Sequence, residues 1–473
     1  MLKNIKQLLD KLDVKQEIIA DRLEKSVIIS FLRDILSKIG ISDDGILAKN
    51  IDYLIMGLIT LIFISATFAS TGIIGALVFL TFFATIFKLI IKKQSLYEFN
   101  SFDLPVLAYI TMIGLSVMFS SLFFPSLKGL FKAITYFTAY LSFASILWQK
   151  PKRAIYLLAV LSACVFFEAI LAIYQNFAGV QEISGWQDMS SINPEDVVNR
   201  AYGSLKPYNP NLLAGYLIAG FSSSLGLASY FLTKNKKKLA FIFGSICLVT
   251  LPAILFTGCR GSYIAVVAMF GLFTVISGYL IWNDIEDNKK LKQLWLGAIW
   301  TLIGLTLALI AVTPSLQHRI VSIFALRDDS SNSFRLNVYA SSVQMFKDHW
   351  LTGIGPGNYT FRLIYGLYMI TGFDALGTYC VPLEVAVETG IFGLLAFGWL
   401  IGLPLIRGFN YITSKNQLGE KILVSSCIIA IVGMMVHGMV DTIWYRPQVQ
   451  LIFWLFYAIL ASITFKKGLN SND

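Results

Sequence analysis

The sequence predicts an all-α polytopic membrane protein: about twelve transmembrane helices, with a large external loop containing short helices between the ninth and tenth spans. Three observations predict it. Of 473 residues, 56% are hydrophobic and only 14% charged, where an ordinary soluble domain carries about a quarter charged residues. The mean hydropathy of +0.68 comes in blocks of about 20 residues, the length an α-helix needs to cross the hydrocarbon core. Basic residues cluster in alternate short loops, as the positive-inside rule requires of a multi-pass chain. A β-barrel would give weaker segments of alternating polarity.

The first fifty residues predict an amphipathic cytoplasmic or interfacial helix, or equally a mobile cytosolic tail. Ile5, Leu8, Leu9 and Leu12, then Ile18, Ile19, Leu23, Val27 and Phe31, form an apolar stripe beside lysines, which suits the inner-leaflet surface. A signal peptide is excluded by charges at helical spacing and the lack of a continuous apolar core. Residues 51–313 then predict spans one to nine, at about 51–69, 72–91, 104–124, 129–148, 154–177, 210–232, 239–257, 261–282 and 293–313. Residues 314–380 form the external loop, 381–466 spans ten to twelve (381–406, 421–440 and 448–465), and 467–473 a cytoplasmic tail. Lys92 and Lys93, Lys152 and Arg153, Lys234 to Lys238, Lys289 to Lys292, Arg407 to Lys421, and Lys466 and Lys467 place both termini in the cytoplasm. For a bacterial chain this is the inner membrane.

The net charge of +10 therefore reports topology and not nucleic-acid binding. Cys164, Cys247, Cys259, Cys380 and Cys427 lack metal-ligand spacing, so neither a zinc site nor a disulfide framework is expected. No Walker loop, HExxH or GxSxG occurs, and the glycines of "TGIGPGNY" lack the preceding strand of a nucleotide site. No metal, cofactor or nucleotide is expected.

Long loops carry function more often than short ones, and this chain has two, at 178–209 and 314–380. The second opens helically: "DDSSNSFRLNVYASSVQMFKDHW" begins with N-cap residues and then repeats Arg335, Tyr339, Ser342 and Phe346 along one face. "GIGPGN" then predicts a tight turn before Asn358 caps another helix.

Charge at membrane depth is costly, so each such group is a candidate site. Arg260 in "TGCRGSY" sits at a helix N-terminus flanked by Gly258 and Gly261, a natural anion site; the bland reading is an interfacial arginine. Arg335 offers a guanidinium fork to a phosphate. Arg200, Arg319 and Arg362 gather on the same external face. His437, Asp441, Arg446 and Glu168 suggest a polar relay, against the plainer reading of helix-packing contacts, and Glu168 is expected to pair with an arginine. Glu384 and Glu388 share one helical face at the start of the tenth span, where they either favour the helix start, pair with Arg335, or act on a substrate.

The arginine in "TGCRGSY", the second in "SFRLNVYASSVQMFKDHWLTGIGPGN", and "PLEVAVETGIFGLLAF" resemble motifs of the O-antigen ligase and polymerase superfamily, the Wzy_C-type membrane proteins, over roughly residues 160–460. The wording of "YCVPLEVAVETGIFG" and "HGMVDTIWYRP" is most similar to the cyanobacterial IctB branch, once proposed to transport inorganic carbon. The resemblance implies a metal-independent glycosyltransferase. Its donor would be an undecaprenyl-diphosphate-linked glycan, its acceptor a glycan or lipid, and its place of action the external face of the inner membrane. Arg260 and Arg335 would then hold the diphosphate. The family pattern His-Asn-x-x-Leu-Glu is matched here at Leu383 and Glu384, but Tyr379 and Cys380 stand at the histidine and asparagine. A tyrosine of pKa about 10 is a poor base near neutrality, so the base is either another group (Glu384 first, then Glu388, Asp374 or His349) or the transfer chemistry is lost. The rival classes are a bicarbonate transporter of the IctB type and a non-catalytic subunit of an envelope polysaccharide assembly.

Overall fold

The computed structural model describes residues 26–38, 45–92, 100–148, 150–179, 200–285, 289–312 and 330–465, with isolated positions between 317 and 324. The helices are α1 (Val27–Lys38), α2 (Ile46–Phe68), α3 (Thr71–Ile91), α4 (Asp103–Phe119), α5 (Phe123–Leu147), α6 (Arg153–Ala178), α7 (Pro210–Thr233) and α8 (Lys237–Phe256). They continue as α9 (Arg260–Asn283), α10 (Lys289–Val312), α11 (Ser330–Asp348), α12 (Asn358–Tyr365), α13 (Val381–Thr413), α14 (Leu418–Gly438) and α15 (Pro447–Phe465). No strand occurs among the described residues. Each of the twelve stretches expected to span coincides with a helix, α2 to α10 and α13 to α15. Ten of these are long and apolar enough to cross a membrane; α4, at 17 residues, is shorter, and α10 carries its lysines in its first turn. The chain is an all-α, multi-pass membrane protein.

Burial separates inner from outer helices. In α15 94% of the most apolar window is buried and in α7 89%, against 22% in α9 and 28% in α3, so α7, α14 and α15 form the centre and the others turn a face outward. Lipid gives little hydrophobic reason for helices to associate, so small residues and hydroxyls hold the centre together. Ser222 Oγ donates to Ser426 O and Ser426 Oγ to Ser222 O, both at 2.6 Å. A Cβ at Gly226 would stand 2.5 Å from the Ser426 side chain, which is why glycine lies at this crossing of α7 and α14.

At the end bearing the basic loops, Asp52 joins Lys88 and Arg153 (2.9 Å each), and Asp284 joins Lys421 (2.8 Å). Of the expected N-terminal helix, residues 1–25 lie outside the described residues. The described remainder, α1, docks through Arg33, whose Nε donates to Ile90 O at 2.7 Å.

At the other end the long loop builds a small core of its own from Val338, Met345, Ile354, Phe361, Ile364, Tyr365 and Ala375 against Val387 of α13. The expected helix after "DDSSNSF" is α11. The glycine-rich turn is a bracket for α13: Ile354 and Gly355 donate their backbone N–H to Val387 O and Glu388 O (3.0 and 3.1 Å), and Ile391 N–H reaches Trp350 O (2.8 Å). Gly390 breaks α13 there, at φ +70° and ψ −171°. Gly353 is required at φ +73°, because a Cβ would stand 2.3 Å from Glu388 O. Asn358 is the first residue of α12 and not its cap. Gly357 caps, at φ +111°, with its N–H given to Glu388, and Asn358 Nδ2 turns to Leu376 O.

Candidate functional site

The turn between α8 and α9 is built by Thr257, whose Oγ1 accepts the N–H of Cys259 at 3.3 Å. Cys259 caps α9, and Arg260 opens it, half-buried. Arg200 reaches this turn from the other long loop: its Nε donates to Thr257 O at 2.8 Å and its Nη2 to Asn211 Oδ1 at 2.5 Å. Asn211 in turn donates from Nδ2 to Asp441 Oδ2 at 2.6 Å. The fully buried side chains close the ring, since Cys259 Sγ lies 3.3 Å from His437 Nε2. A Cβ at Gly261 would meet both His437 and Val440, so the α8–α9 turn lies directly on the end of α14.

Arg335 approaches the same segment from α11. Its Nε donates to Val440 O at 3.1 Å and its Nη1 to Ser331 Oγ at 2.6 Å, and the guanidinium sits 6.0 Å from the centre of the Tyr379 ring, within reach of a cation–π contact. Tyr379 is held at φ +55°, its carbonyl accepting from Tyr339 and its ring edge-on to Phe334. Arg200, Arg260, Arg335, Tyr379, His437 and Asp441 thus converge on residues 437–441 and the turn 257–261, although they come from five separate parts of the chain. Arg335 makes no ion pair among the described residues, and its Nη2 donates to no described residue.

Burial pushes the Tyr379 phenol up to about 12, with Asp441 adding to the shift and Arg335 opposing it. Burial likewise raises the Cys380 thiol. The Cys259 thiol is lowered from its usual range: burial would raise it, but the field and hydrogen bond of His437 overcome this.

Glu384 and Glu388 lie together on the first two turns of α13, both buried. Glu384 Oε2 accepts the Thr378 N–H at 3.0 Å, which fixes the turn leading into Tyr379 and Cys380, while Glu384 Oε1 has no hydrogen-bond partner. Glu388 Oε1 accepts the Gly357 N–H at 2.8 Å. Neither pairs with Arg335, whose donors go to Val440 and Ser331. The cation whose field reaches both carboxylates is Lys132.

The remaining expected residues lie elsewhere. Arg362 makes an exposed ion pair with Asp374 at 2.7 Å, and His349 follows the end of α11, where its carbonyl accepts the Gly353 N–H. Arg319 lies outside the described residues. Glu168 takes Ser204 where an arginine was expected, at 2.5 Å from Oγ and 2.9 Å from the backbone N–H. Together with Gln175, which holds Tyr202 and Gly203, it shapes the loop that delivers Arg200. The four relay candidates form no hydrogen-bonded chain among the described residues. α14 ends at Gly438, so Asp441 is no longer one helical turn from His437, and the charge of Arg446 faces Lys132 and Tyr136.

Sequence reasoning missed Asn211, which joins Arg200 to Asp441; its only trace is the "NPN" helix start, where Asn209 caps the Asn211 N–H. It missed Cys259 as the partner of His437, which lies 178 residues away. Among the described residues no group of three or more His, Cys, Asp or Glu side chains is placed to hold a metal ion.

No curated protein matches the chain. Residues 244–398, a segment that holds Arg260, Arg335, Tyr379, Glu384 and Glu388, match the model of the family described as O-Antigen ligase, so this multi-pass membrane protein carries a ligase-like segment across one half of its candidate site.

Proposed function

We propose that the protein transfers a glycan from an undecaprenyl-diphosphate carrier to a hydroxyl acceptor at the external membrane face, with Arg335, Arg260 and Arg200 holding the diphosphate. The observation that carries this reading is the convergence of those arginines on residues 437–441, within and beside the ligase-like segment. A leaving diphosphate gains negative charge as the glycosidic bond breaks, and guanidinium groups fixed beforehand stabilise that charge without reorganisation. Arg335 is pre-oriented by Val440, Ser331 and the Tyr379 ring, and its unused Nη2 is the donor available to a phosphate oxygen.

The acceptor hydroxyl has to lose a proton. Tyr379, with its phenol near 12, stays neutral and serves as the platform for Arg335. Glu384 is the proposed base: its Oε2 is occupied by Thr378, which orients the carboxylate, and its Oε1 is uncommitted. His437 and Asp441 brace the arginines through Cys259 and Asn211.

The test is transfer of labelled glycan from undecaprenyl diphosphate by the full chain in liposomes, with Glu384→Gln and Arg260→Ala alongside. Loss of transfer in both, with folding intact, is expected. Transfer unchanged in both variants refutes the assignment. Absence of transfer in the wild type, joined to arginine-dependent bicarbonate uptake, would favour the transport reading attached to the IctB resemblance.

A further inference from the structure

A cavity lies beside the arginine centre. It measures about 250 Å³ and is lined by α4, the start of α5, the Gly357 turn, α13, residues 444–445 and the start of α15. The segment 441–446 separates the two: Asp441 faces the arginines, while Trp444 and Tyr445 line the cavity. We infer that this cavity binds a single saccharide ring of the glycan, with Lys132, Gln450 and the indole N–H of Trp454 as donors and Glu388 as acceptor.

The lining has two kinds of surface. Tyr109 and Trp444 contribute aromatic side chains, a residue type suited to the C–H groups of a pyranose, while Lys132, Glu388 and Gln450 supply polar groups. Trp454 is 5% exposed, and its Nε1 has no hydrogen-bond partner. A buried N–H left in that state costs about 1–3 kcal/mol, which a ligand hydroxyl recovers. Lys132 Nζ makes no ion pair among the described residues, and Glu388 accepts Gly357 through Oε1 alone, leaving Oε2. A lipid tail would use none of these groups, and a metal ion would be repelled by the ammonium. A sugar hydroxyl is both donor and acceptor, so it matches an ammonium and a carboxylate side by side. The volume lies just below the usual range of about 300–1,000 Å³ for small-molecule sites, which limits the occupant to about one ring. Tyr359, 60% exposed at the rim, leaves room for the rest of a chain to leave the pocket.

This inference rests on the proposed glycan-transfer reading for its ligand class, and its test separates the two. The full chain in lipid nanodiscs, free of maltoside detergent, is titrated with glucose, galactose, N-acetylglucosamine and glucuronic acid and followed by saturation-transfer NMR. At least one sugar is expected to bind, weakened about tenfold by Trp454→Phe or Lys132→Met, each of which removes one hydrogen bond from the sugar. Tyr359→Ala, at a position 60% exposed, should weaken binding as well. Arg335→Ala should leave sugar binding in place while abolishing binding of undecaprenyl diphosphate. No saturation transfer to any of the four sugars, or equal binding by the wild type and all three pocket variants, overturns the inference. Sugar binding without diphosphate binding leaves it standing and removes the transferase reading; diphosphate binding without sugar binding does the reverse.

Discussion

Arg335→Lys keeps the positive charge and removes the fork, so it isolates what geometry contributes. In the wild type, Nε donates to Val440 O at 3.1 Å and Nη1 to Ser331 Oγ at 2.6 Å, leaving Nη2 for substrate. An ammonium has three donors on one nitrogen and no planar fork, so it cannot span Val440 and Ser331 from separate nitrogens and hold a further donor where Nη2 stands. A hydrogen bond to a charged group contributes about 1.5–3 kcal/mol. If that is the part lost in the transition state, transfer falls about 10- to 150-fold. Arg335→Ala also removes the charge and should reach the 10²–10³-fold loss seen when one preorganised donor to a developing oxyanion is deleted, roughly 3–4 kcal/mol. The assay is single-turnover transfer of labelled glycan in liposomes, with thermal melts of each variant in the same lipid. The expected pattern is a graded loss, Lys smaller than Ala, with melting temperatures that do not follow the rates. A lysine variant at wild-type rate, or rates that fall strictly in step with melting temperature, would refute the argument that Arg335 acts on substrate.

Three further outcomes follow from the geometry. Gly353→Ala places a Cβ 2.3 Å from the Glu388 carbonyl in a left-handed conformation, so the bracket around Gly390 has to open; a loss above about 3 kcal/mol in chemical denaturation is expected. Tyr379→Phe should leave the pH–rate profile unmoved between pH 5 and 9, since the phenol does not ionise there. The sign for stability is fixed as well: with the folded pKa near 12 and the unfolded near 10, the native state holds more protons in that window, so wild-type stability falls as pH rises from 10 to 12 and the phenylalanine variant falls less. Arg362→Ala breaks an ion pair whose side chains are both 55% exposed and should change the melting midpoint by no more than about 0.5 kcal/mol equivalent.

Much of the fold was legible because bilayer crossing imposes a length and a composition on each helix separately. The twelve apolar stretches could be delimited without knowing any contact, and α11 announced itself through N-cap residues and a helical face. Arg260 was legible because a charge in an apolar setting stands out by itself, whereas Arg335, on the polar helix α11, stood out only through the resemblance to the ligase motifs. The partners of those residues were not. Asn211 and Cys259 are unremarkable in sequence, and Glu168 looked like the counter-ion of an arginine because nothing local names Ser204, 36 residues on. The spacing of His437 and Asp441 carries less than it implies: four residues apart means one turn only while the helix continues, and α14 ends at Gly438.

By itself, then, the sequence determined the membrane class, the helix count within the apolar blocks, and the two arginines worth testing, because those depend on properties of single segments. Only the tertiary structure decided that Arg200 reaches Asp441 through Asn211, that the Arg335 guanidinium sits 6.0 Å from the Tyr379 ring, and that Glu384 and Glu388 lie within the field of Lys132. Those facts depend on which helix ends pack together, and packing at the α8–α9 turn, the end of α14 and the Gly390 break is governed by glycine contacts and hydrogen bonds between positions tens to hundreds of residues apart.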